Sequence, residues 1–326
     1  MLDLSETSIK VVKIKLFNMS YAFFRKVLDV VRHPKKIYCS FLSRTSRLWP
    51  DKIYLKLMYR LKIGGKLDLE NPQTFSAKLQ WLKLYDRKDI YTTMVDKIEV
   101  KKYVASIIGN KYIIPTLGVW KDPYDIDFYQ LPNQFVLKCN HNSGAGMFIC
   151  RDKAGINEKC VREGLVRGLK EDYFLTGREW PYKNVQRQIL AEKFIKPAPG
   201  MNDLPDYKFF CFNGKVKALF IATDRQVPGQ EVKFDFFDEN FNHLNLRQGH
   251  DNSSVTPQKP ISFDEMKALA EKLSKGFPHI RIDFYEVNGR PLFGELTLFH
   301  FSGLMPFEPK EWDIKFGHWL DLPQLQ

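Results

Sequence analysis

The chain has no run of 18 or more apolar residues free of charge, so the sequence predicts no membrane-spanning helix. Lys10, Lys13 and Lys15 interrupt the apolar residues near the start, which argues against a secretory leader. The five cysteines (Cys39, Cys139, Cys150, Cys160 and Cys211) are an odd number without a Cys-x-x-Cys pair. That speaks against a zinc site or a disulfide framework and for a reducing compartment, with a cytoplasmic location expected. No Gly-Lys-Ser/Thr ends a glycine loop, so a Walker A site is excluded. No Ser-His-Asp set or nucleophilic cysteine stands out. No helix-turn-helix, zinc or RNA-recognition motif is present, and nucleic acid is not expected as a partner. Internal repeats and low-complexity tracts are also missing.

What is there is enough to fold. Of 326 residues, 44% are hydrophobic and 14% aromatic, so a substantial core can be buried. The net charge of +12 is uneven. Residues 1–60 hold 13 Lys+Arg against 4 Asp+Glu, and the remainder 37 against 34. The segment Ile9 to Tyr38 mixes Leu, Val and Phe with Lys and Arg. It reads either as an arm on an anionic membrane surface or as a solvated helical face.

Along the chain, residues 1–60 read as mainly helical. Thr74 opens a helix through Leu84, and Asp96 to Ile108 reads as another. Strands are expected over Lys111–Trp120, Gln134–Asn140, Met147–Arg151, Gln188–Ile195, Tyr207–Phe212, Lys215–Ala222 and Val232–Phe237. Asn213-Gly214 is a hairpin turn, and a helix is expected near Val161–Leu169. Pro197 to Pro205 reads as a linker. Ser262-Phe-Asp-Glu265 is a capping box before a helix that Gly276 stops. This is an α+β pattern of antiparallel hairpins and helices, because βαβ alternation breaks down after residue 200.

Two carboxylates lie in the last hairpin. Over His279 to Val287, Ile280, Ile282 and Phe284 share one face, and Arg281, Asp283 and Tyr285 the other. After Asn288-Gly289, the strand Pro291 to Thr297 puts Phe293, Glu295 and Thr297 on one face. A plain two-residue turn would pair Asp283 with Gly294 and send Glu295 to the opposite side. A longer loop or a bulge would pair Asp283 with Glu295. With that register the carboxylates suit a hard cation such as Mg²⁺; without it they form a solvated surface hairpin. Lys138 is a lone cation in Phe135-Val-Leu-Lys-Cys139, and an ammonium in an apolar strand needs a counter-charge. The Asn142-Ser143-Gly144-Ala-Gly146 loop after it can offer backbone N–H groups to phosphate oxygens. Glu192-Lys193-Phe194-Ile195 reads as a hinge that clamps a flat base, or as an ordinary buried strand.

In order, Asp96-Lys-x-x-x-Lys101, Val136-Leu-Lys138 with Ser143-Gly-Ala-Gly146, Leu190-Ala-Glu-Lys-Phe-Ile195, Asp206-Tyr-Lys208, Arg281-x-Asp283 and Glu295-x-Thr297 resemble the ATP-grasp superfamily, which includes D-alanine–D-alanine ligase and biotin carboxylase. Pro50-Asp-Lys, Asn71-Pro-Gln-Thr-Phe75, Lys78-Leu-Gln-Trp-Leu-Lys83 and Phe293-Gly-Glu-Leu-Thr297 before Phe301-Ser-Gly303 are similar to its TupA-like, teichuronopeptide-biosynthesis branch. The resemblance covers roughly residues 48–322. It implies an ATP-grasp fold of two α+β lobes clamping the nucleotide. The expected divisions are a basic helical segment at 1–60, an N-terminal lobe at 61–130, a small lobe at 131–196 and a large lobe at 197–326.

The resemblance also implies roles. Lys101 and Lys138 contact the α and β phosphates. Ser143, Gly144 and Gly146 form the phosphate flap. Glu192, Lys193 and Phe194 line the adenine pocket, and Asp206 reaches the ribose. Arg281 faces the transferred phosphoryl group, with Lys208 and Arg225 as further γ-phosphate groups. Asp283, Glu295 and Thr297 bind Mg²⁺ or Mn²⁺. Thr297 stands where the family pattern has Asn, a departure that bears on the number of metals. An acceptor pocket is expected at His300, Ser302 and Gly303, with His300 read as a packed residue. The function implied is an ATP-dependent carboxylate–amine ligase of bacterial surface-polysaccharide synthesis: capsule, teichuronopeptide or O-antigen. Its substrates would be an acidic saccharide or uronic acid and an amine or amino acid, with peripheral contact to the inner face of the cytoplasmic membrane through residues 9–38. A glycosyltransferase using Asp125-Ile-Asp127, an ATP-grasp phosphotransferase and a catalytically dead binding protein are the rival readings.

Overall fold

The computed structural model describes residues 34–197, 203–225, 227 and 229–324. The basic arm read over residues 9–38 therefore lies outside the described residues as far as residue 33, as does much of the linker read over 197–205. Among the described residues no helix is long and apolar enough to cross a membrane.

Three helices come first among the described residues: α1 (Pro34–Arg44), α2 (Asp51–Lys62) and α3 (Phe75–Tyr85). In α2, Asp51 lies in the first turn and Arg60 and Lys62 in the last, each sign where the helix dipole favours it. Thr74 caps α3 by accepting from the Ala77 N–H, as the sequence predicts. The helix read over Asp96–Ile108 is α5 (Glu99–Ile108), preceded by a short helix that was not read, α4 (Ile90–Val95). Asp96 breaks them, because its side chain accepts from the Ile98 and Glu99 N–H groups and starts α5 afresh.

The first sheet runs in the order β1 (Thr116–Trp120), β4 (Ile189–Lys193), β2 (Phe135–Cys139), β3 (Phe148–Cys150), all antiparallel. The strand read over Lys111–Trp120 is shorter than expected, since Asn110–Tyr112 form a helical turn. Helices α6 (Glu158–Lys170) and α7 (Phe174–Gly177) follow β3. Val161 and Leu165 of α6 join Phe135, Leu137 and Ile189 in a small apolar core.

The second sheet has the order β7 (Lys233–Asp238), β6 (Lys215–Thr223), β5 (Asp206–Phe212), β8 (His279–Val287), β9 (Arg290–Thr297), again antiparallel. Both faces are covered. Phe209 packs on Phe263 of α8 (Phe263–Leu273), and its neighbour Phe210 packs on Phe75 of α3 and Phe316 of α9 (Glu311–Trp319). Adjacent strand residues point to opposite faces. That double cover is why all seven residues of β5 are buried and why Phe-Phe-Cys-Phe reads as a continuous apolar run. The capping box read at Ser262 does not form, because the Ser262 hydroxyl and N–H both donate to Glu286 instead.

The last hairpin settles the register. Val287 pairs with Arg290 across Asn288 (φ 51°) and Gly289 (φ 71°), the two-residue turn that Asn-Gly favours. That turn alone would set Asp283 opposite Gly294. A bulge at Gly294 intervenes: Phe284 pairs with Phe293, and Asp283 with Glu295. The strand turns over at the bulge, so Phe293 does not share a face with Glu295 as simple alternation predicted. A Cβ on Gly294 would lie 3.1 Å from the Asp283 carbonyl oxygen, which is why glycine occupies the bulge.

Candidate active site

The site forms where the two sheets face each other. From the second sheet, register lines up Lys208 with Asp283, Asp206 with Tyr285, and Arg281 with Thr297. Arg281 grips Asp283 with two bonds of 2.7 Å, from Nε and Nη2. Lys208 bridges Asp283 and Asp206, at 2.6 Å from the latter, and Arg225 also pairs with Asp206 at 2.5 Å. Each buried charge thus has an opposite neighbour, as the cost of desolvation requires. Burial pushes the Asp283 carboxyl up, but Arg281 and Lys208 outweigh it and hold the group below the usual range. Burial also opposes ionisation of Glu295, and Lys97, Arg281 and Lys208 more than offset it.

From the first sheet comes a second set. Glu192 of β4 pairs with Lys101 of α5 at 2.6 Å and Lys138 of β2 at 2.5 Å. Burial disfavours charge on all three. The Glu192 carboxyl nevertheless stays below its ordinary value and the Lys138 ammonium above its own, because each faces the other.

A cavity of about 240 Å³ lies between the sheets. Val136, Lys138, Ser143, Gly144, Glu192, Lys193, Phe194, Arg225 and Glu295 line it. A smaller, charged chamber of about 70 Å³ shares Lys138, Glu192, Arg225 and Glu295 and adds Lys101, Asp206, Lys208 and Asp283. Of the residues singled out in the sequence, Arg281 and Thr297 border this chamber through Asp283 and Glu295 rather than lining it. Gly146 points elsewhere, packing against Gly168 of α6 and lining a broad depression of about 720 Å³ on the outer side of the loop. His300 is buried and neutral: burial and Arg281 hold its pKa well below the usual value, and its Nδ1 accepts from Arg281 at 2.6 Å. Asp125 and Asp127 lie exposed between β1 and β2 and line neither cavity, and Asp127 accepts from the Tyr129 N–H.

The carboxylate pair fits a hard divalent cation. Asp283, Glu295 and the Thr297 hydroxyl supply oxygen only, and no group of three His, Cys, Asp or Glu converges among the described residues. A Mg²⁺ ion that keeps waters and takes phosphate oxygens needs no fuller set from the protein. Thr297 is already engaged, accepting from Arg281 and donating to Glu295 Oε1, each at 2.9 Å.

The sequence reading missed Lys97 and Tyr182. Lys97 lines both cavities and donates to the Asn142 carbonyl oxygen. It occupies the Asp96 turn, which the sequence reads as the first residues of a helix; the Asp-Lys pair heading that motif is the available signal. Tyr182 lines the chamber. It comes from residues 171–188, which carry no hydrophobic period.

A family model described as TupA-like ATPgrasp matches residues 77–321. No curated protein matches the chain. Among solved structures, D-alanine–D-alanine ligase from Helicobacter pylori is 15% identical over 76% of this chain and 69% of its own, with a TM-score of 0.41. The Bacillus anthracis D-alanine–D-alanine ligase complexed with ATP is 14% identical over 63% and 54%, TM-score 0.34. The ATP-grasp ligase PsnB, complexed with minimal precursor, Mg and ADP, is 12% identical over 68% and 57%, TM-score 0.36. The chain thus spans little more than half the length of the last two. The family model takes in about three quarters of the sequence, including every charged residue of the site, and the chain belongs to the TupA-like ATP-grasp family.

Proposed function

We propose that the protein is an ATP-dependent carboxylate–amine ligase acting on an acidic saccharide in bacterial surface-polysaccharide synthesis. The observation that carries this reading is the pairing of Asp283 with Glu295 beside Arg281 and Lys208, facing Lys101, Lys138 and Glu192 across the cleft. ATP would lie in the cavity between the sheets. Phe194 and Lys193 would flank the base, Asp206 would reach the ribose, and Ser143 and Gly144 would cover the phosphates with Lys101 and Lys138. Asp283, Glu295 and Thr297 would hold Mg²⁺ (Mn²⁺ has the same preference for hard oxygen donors), which when bound neutralises phosphate charge. Arg281, Lys208 and Arg225 would meet the γ-phosphate as a substrate carboxylate attacks it. Positioning and electrostatics supply most of such catalysis. The acyl phosphate would then be captured by an amine. On this reading residues 61–130, 131–196 and 197–326 act as three lobes around one nucleotide, and residues 9–38 rest on the anionic inner face of the membrane.

Incubation with ATP-Mg, a panel of uronic acids and a panel of amino acids, with ADP followed, tests the proposal. ADP release that requires both an acid and an amine supports it. AMP with pyrophosphate, phosphate retained on the product, or sugar transfer without ATP would each sink it.

A further inference from the structure

Helix α1 turns apolar side chains outward as well as inward. Leu42 is buried and holds the helix to the body. Ile37, Tyr38 and Phe41 are 46%, 61% and 56% exposed, and Leu48, in the helical turn that follows (Ser46–Leu48), is 80% exposed. Ile37 and Phe41 stand at i and i+4 with Arg44 at i+7, so all three share one face of α1. Single exposed apolar residues are ordinary on a protein surface, but a cluster rimmed by polar groups marks an interaction surface.

The rim has one sign of charge. Residues 34–56 hold six Lys+Arg and a single acid, Asp51. Lys35, Lys36, Arg44, Arg47 and Lys52 are exposed. Asp51 is engaged by Arg178 at 3.2 Å and Arg87 at 3.8 Å, and Arg47 pairs with Asp172 at 3.5 Å yet stays 77% exposed. That sign decides between occupants. Residues 1–33 carry six Lys+Arg against three Asp+Glu, so they bring more positive charge and no complement to the rim. A second copy would set the same basic rim against itself. Nucleic acid would answer the cations but leave the apolar centre unmatched. An anionic bilayer surface answers both, with headgroups at the cations and the acyl boundary at the apolar side chains.

The face is also fastened to the body. Arg178, which follows α7, donates to the Ser46 carbonyl and to the Trp49 carbonyl at 3.1 Å, and its guanidinium lies 4.3 Å from the centre of the Tyr54 ring. Tyr54 in turn donates to the Thr176 carbonyl at 3.1 Å. Four residues beyond Arg178, Tyr182 lines the charged chamber. Docking of α1 therefore sets the orientation of the cleft.

We propose that the outward face of α1 and the turn after it, with Ile37, Tyr38, Phe41 and Leu48 inside a basic rim, docks on an anionic lipid surface and holds the cleft at a fixed orientation to it. This carries the membrane contact placed at residues 9–38 onto a folded part of the chain, and it does not depend on the chemistry in the cleft.

The test sediments the full chain with vesicles of phosphatidylcholine alone and with vesicles in which phosphatidylglycerol replaces one lipid in three. Wild type should bind the mixed vesicles roughly tenfold more tightly or better, and that preference should fall as salt rises and screens the rim. Lys35→Gln with Arg44→Gln should weaken binding to mixed vesicles roughly 20-fold, at about fivefold for each cation near an anionic surface. Phe41→Ser with Leu48→Ser should weaken it roughly tenfold through lost apolar contact. Because these side chains are exposed, both double variants should keep the wild-type melting temperature, and the Lys35 and Arg44 variant serves if the other fails to fold. Mixed-vesicle binding unchanged in both variants would place the contact before Pro34 and overturn this assignment alone. Wild type that binds neither vesicle, or both alike, would overturn it together with the anionic contact at residues 9–38. A wild-type dimer that Phe41→Ser with Leu48→Ser converts to monomer would give the face to a second copy. ADP release, followed without vesicles, tests the ligase reading separately.

Discussion

Asp283 gives both carboxylate oxygens to cations, whereas among the described residues Glu295 accepts a hydrogen bond from the Thr297 hydroxyl alone. The two should therefore respond differently to loss of charge. Asp283→Asn leaves Arg281 and Lys208 buried with too little compensation, and should cost about 3 kcal/mol of stability as well as turnover. Glu295→Gln should lose turnover at a smaller cost in stability, because Arg281 and Lys208 keep Asp283 and Lys97 keeps the Asn142 carbonyl. ADP release and urea unfolding measured together would check this, and the reverse pattern of stabilities would contradict it. The pH dependence follows from the same pair. Asp283 ionises below its unfolded value, so its contribution is present above the ordinary aspartate range and is lost as pH falls through the folded value. Wild type should then lose stability below about pH 4 more steeply than Asp283→Asn. Both carboxylates were legible in the sequence, because alternation shows which strand residues share a face. Lys97 and Tyr182 were not, since each lies in a turn whose conformation is set by side-chain capping or tertiary contact rather than by a period.

The hairpin of β8 and β9 shows what pattern can and cannot convey at the level of elements. The strands, the Asn-Gly turn and the need for an extra residue all follow from spacing. The position of that residue does not, because a bulge adds no signal to a period of two. Its placement gives a test by contrast. Gly294→Ala puts a Cβ 3.1 Å from the Asp283 carbonyl and 3.3 Å from the Tyr285 ring. It should displace the Asp283–Glu295 pair and lower turnover about tenfold, with a stability loss of about 1 kcal/mol for overpacking. Gly289→Ala at φ 71° should cost about 1 kcal/mol through left-handed strain and leave kcat nearly unchanged, because the turn lies six residues from the pair. Equal effects on kcat would show that the bulge does not set the site. The helix boundaries were less legible: the turn capped by Asp96 delays the helix read from Asp96 until Glu99, and Glu286 takes the Ser262 hydroxyl from its expected cap.

At the scale of the molecule, two antiparallel sheets with separate apolar cores meet across a cleft whose charges nearly balance. The sequence conveyed the antiparallel class and the order of motifs. It could not convey that Glu192 would bind two lysines from different elements, since that contact depends on the first sheet's order. The arrangement makes a prediction about nucleotide and stability together. Lys138→Met still leaves Lys101 paired with Glu192, so the ligand-free protein should keep its melting temperature within about a degree or two, a shift worth less than 1 kcal/mol. The same change removes a cation that the phosphates would meet. ATP-Mg at about 100 times its dissociation constant should stabilise wild type by about 2.7 kcal/mol, and at the same concentration should protect Lys138→Met far less. A UDP-sugar should protect neither. Thermal shift with both nucleotides reads all four cases. Full ATP protection of Lys138→Met would remove that lysine from the phosphate site, and protection of wild type by the UDP-sugar but not by ATP-Mg would replace the ligase reading with sugar transfer.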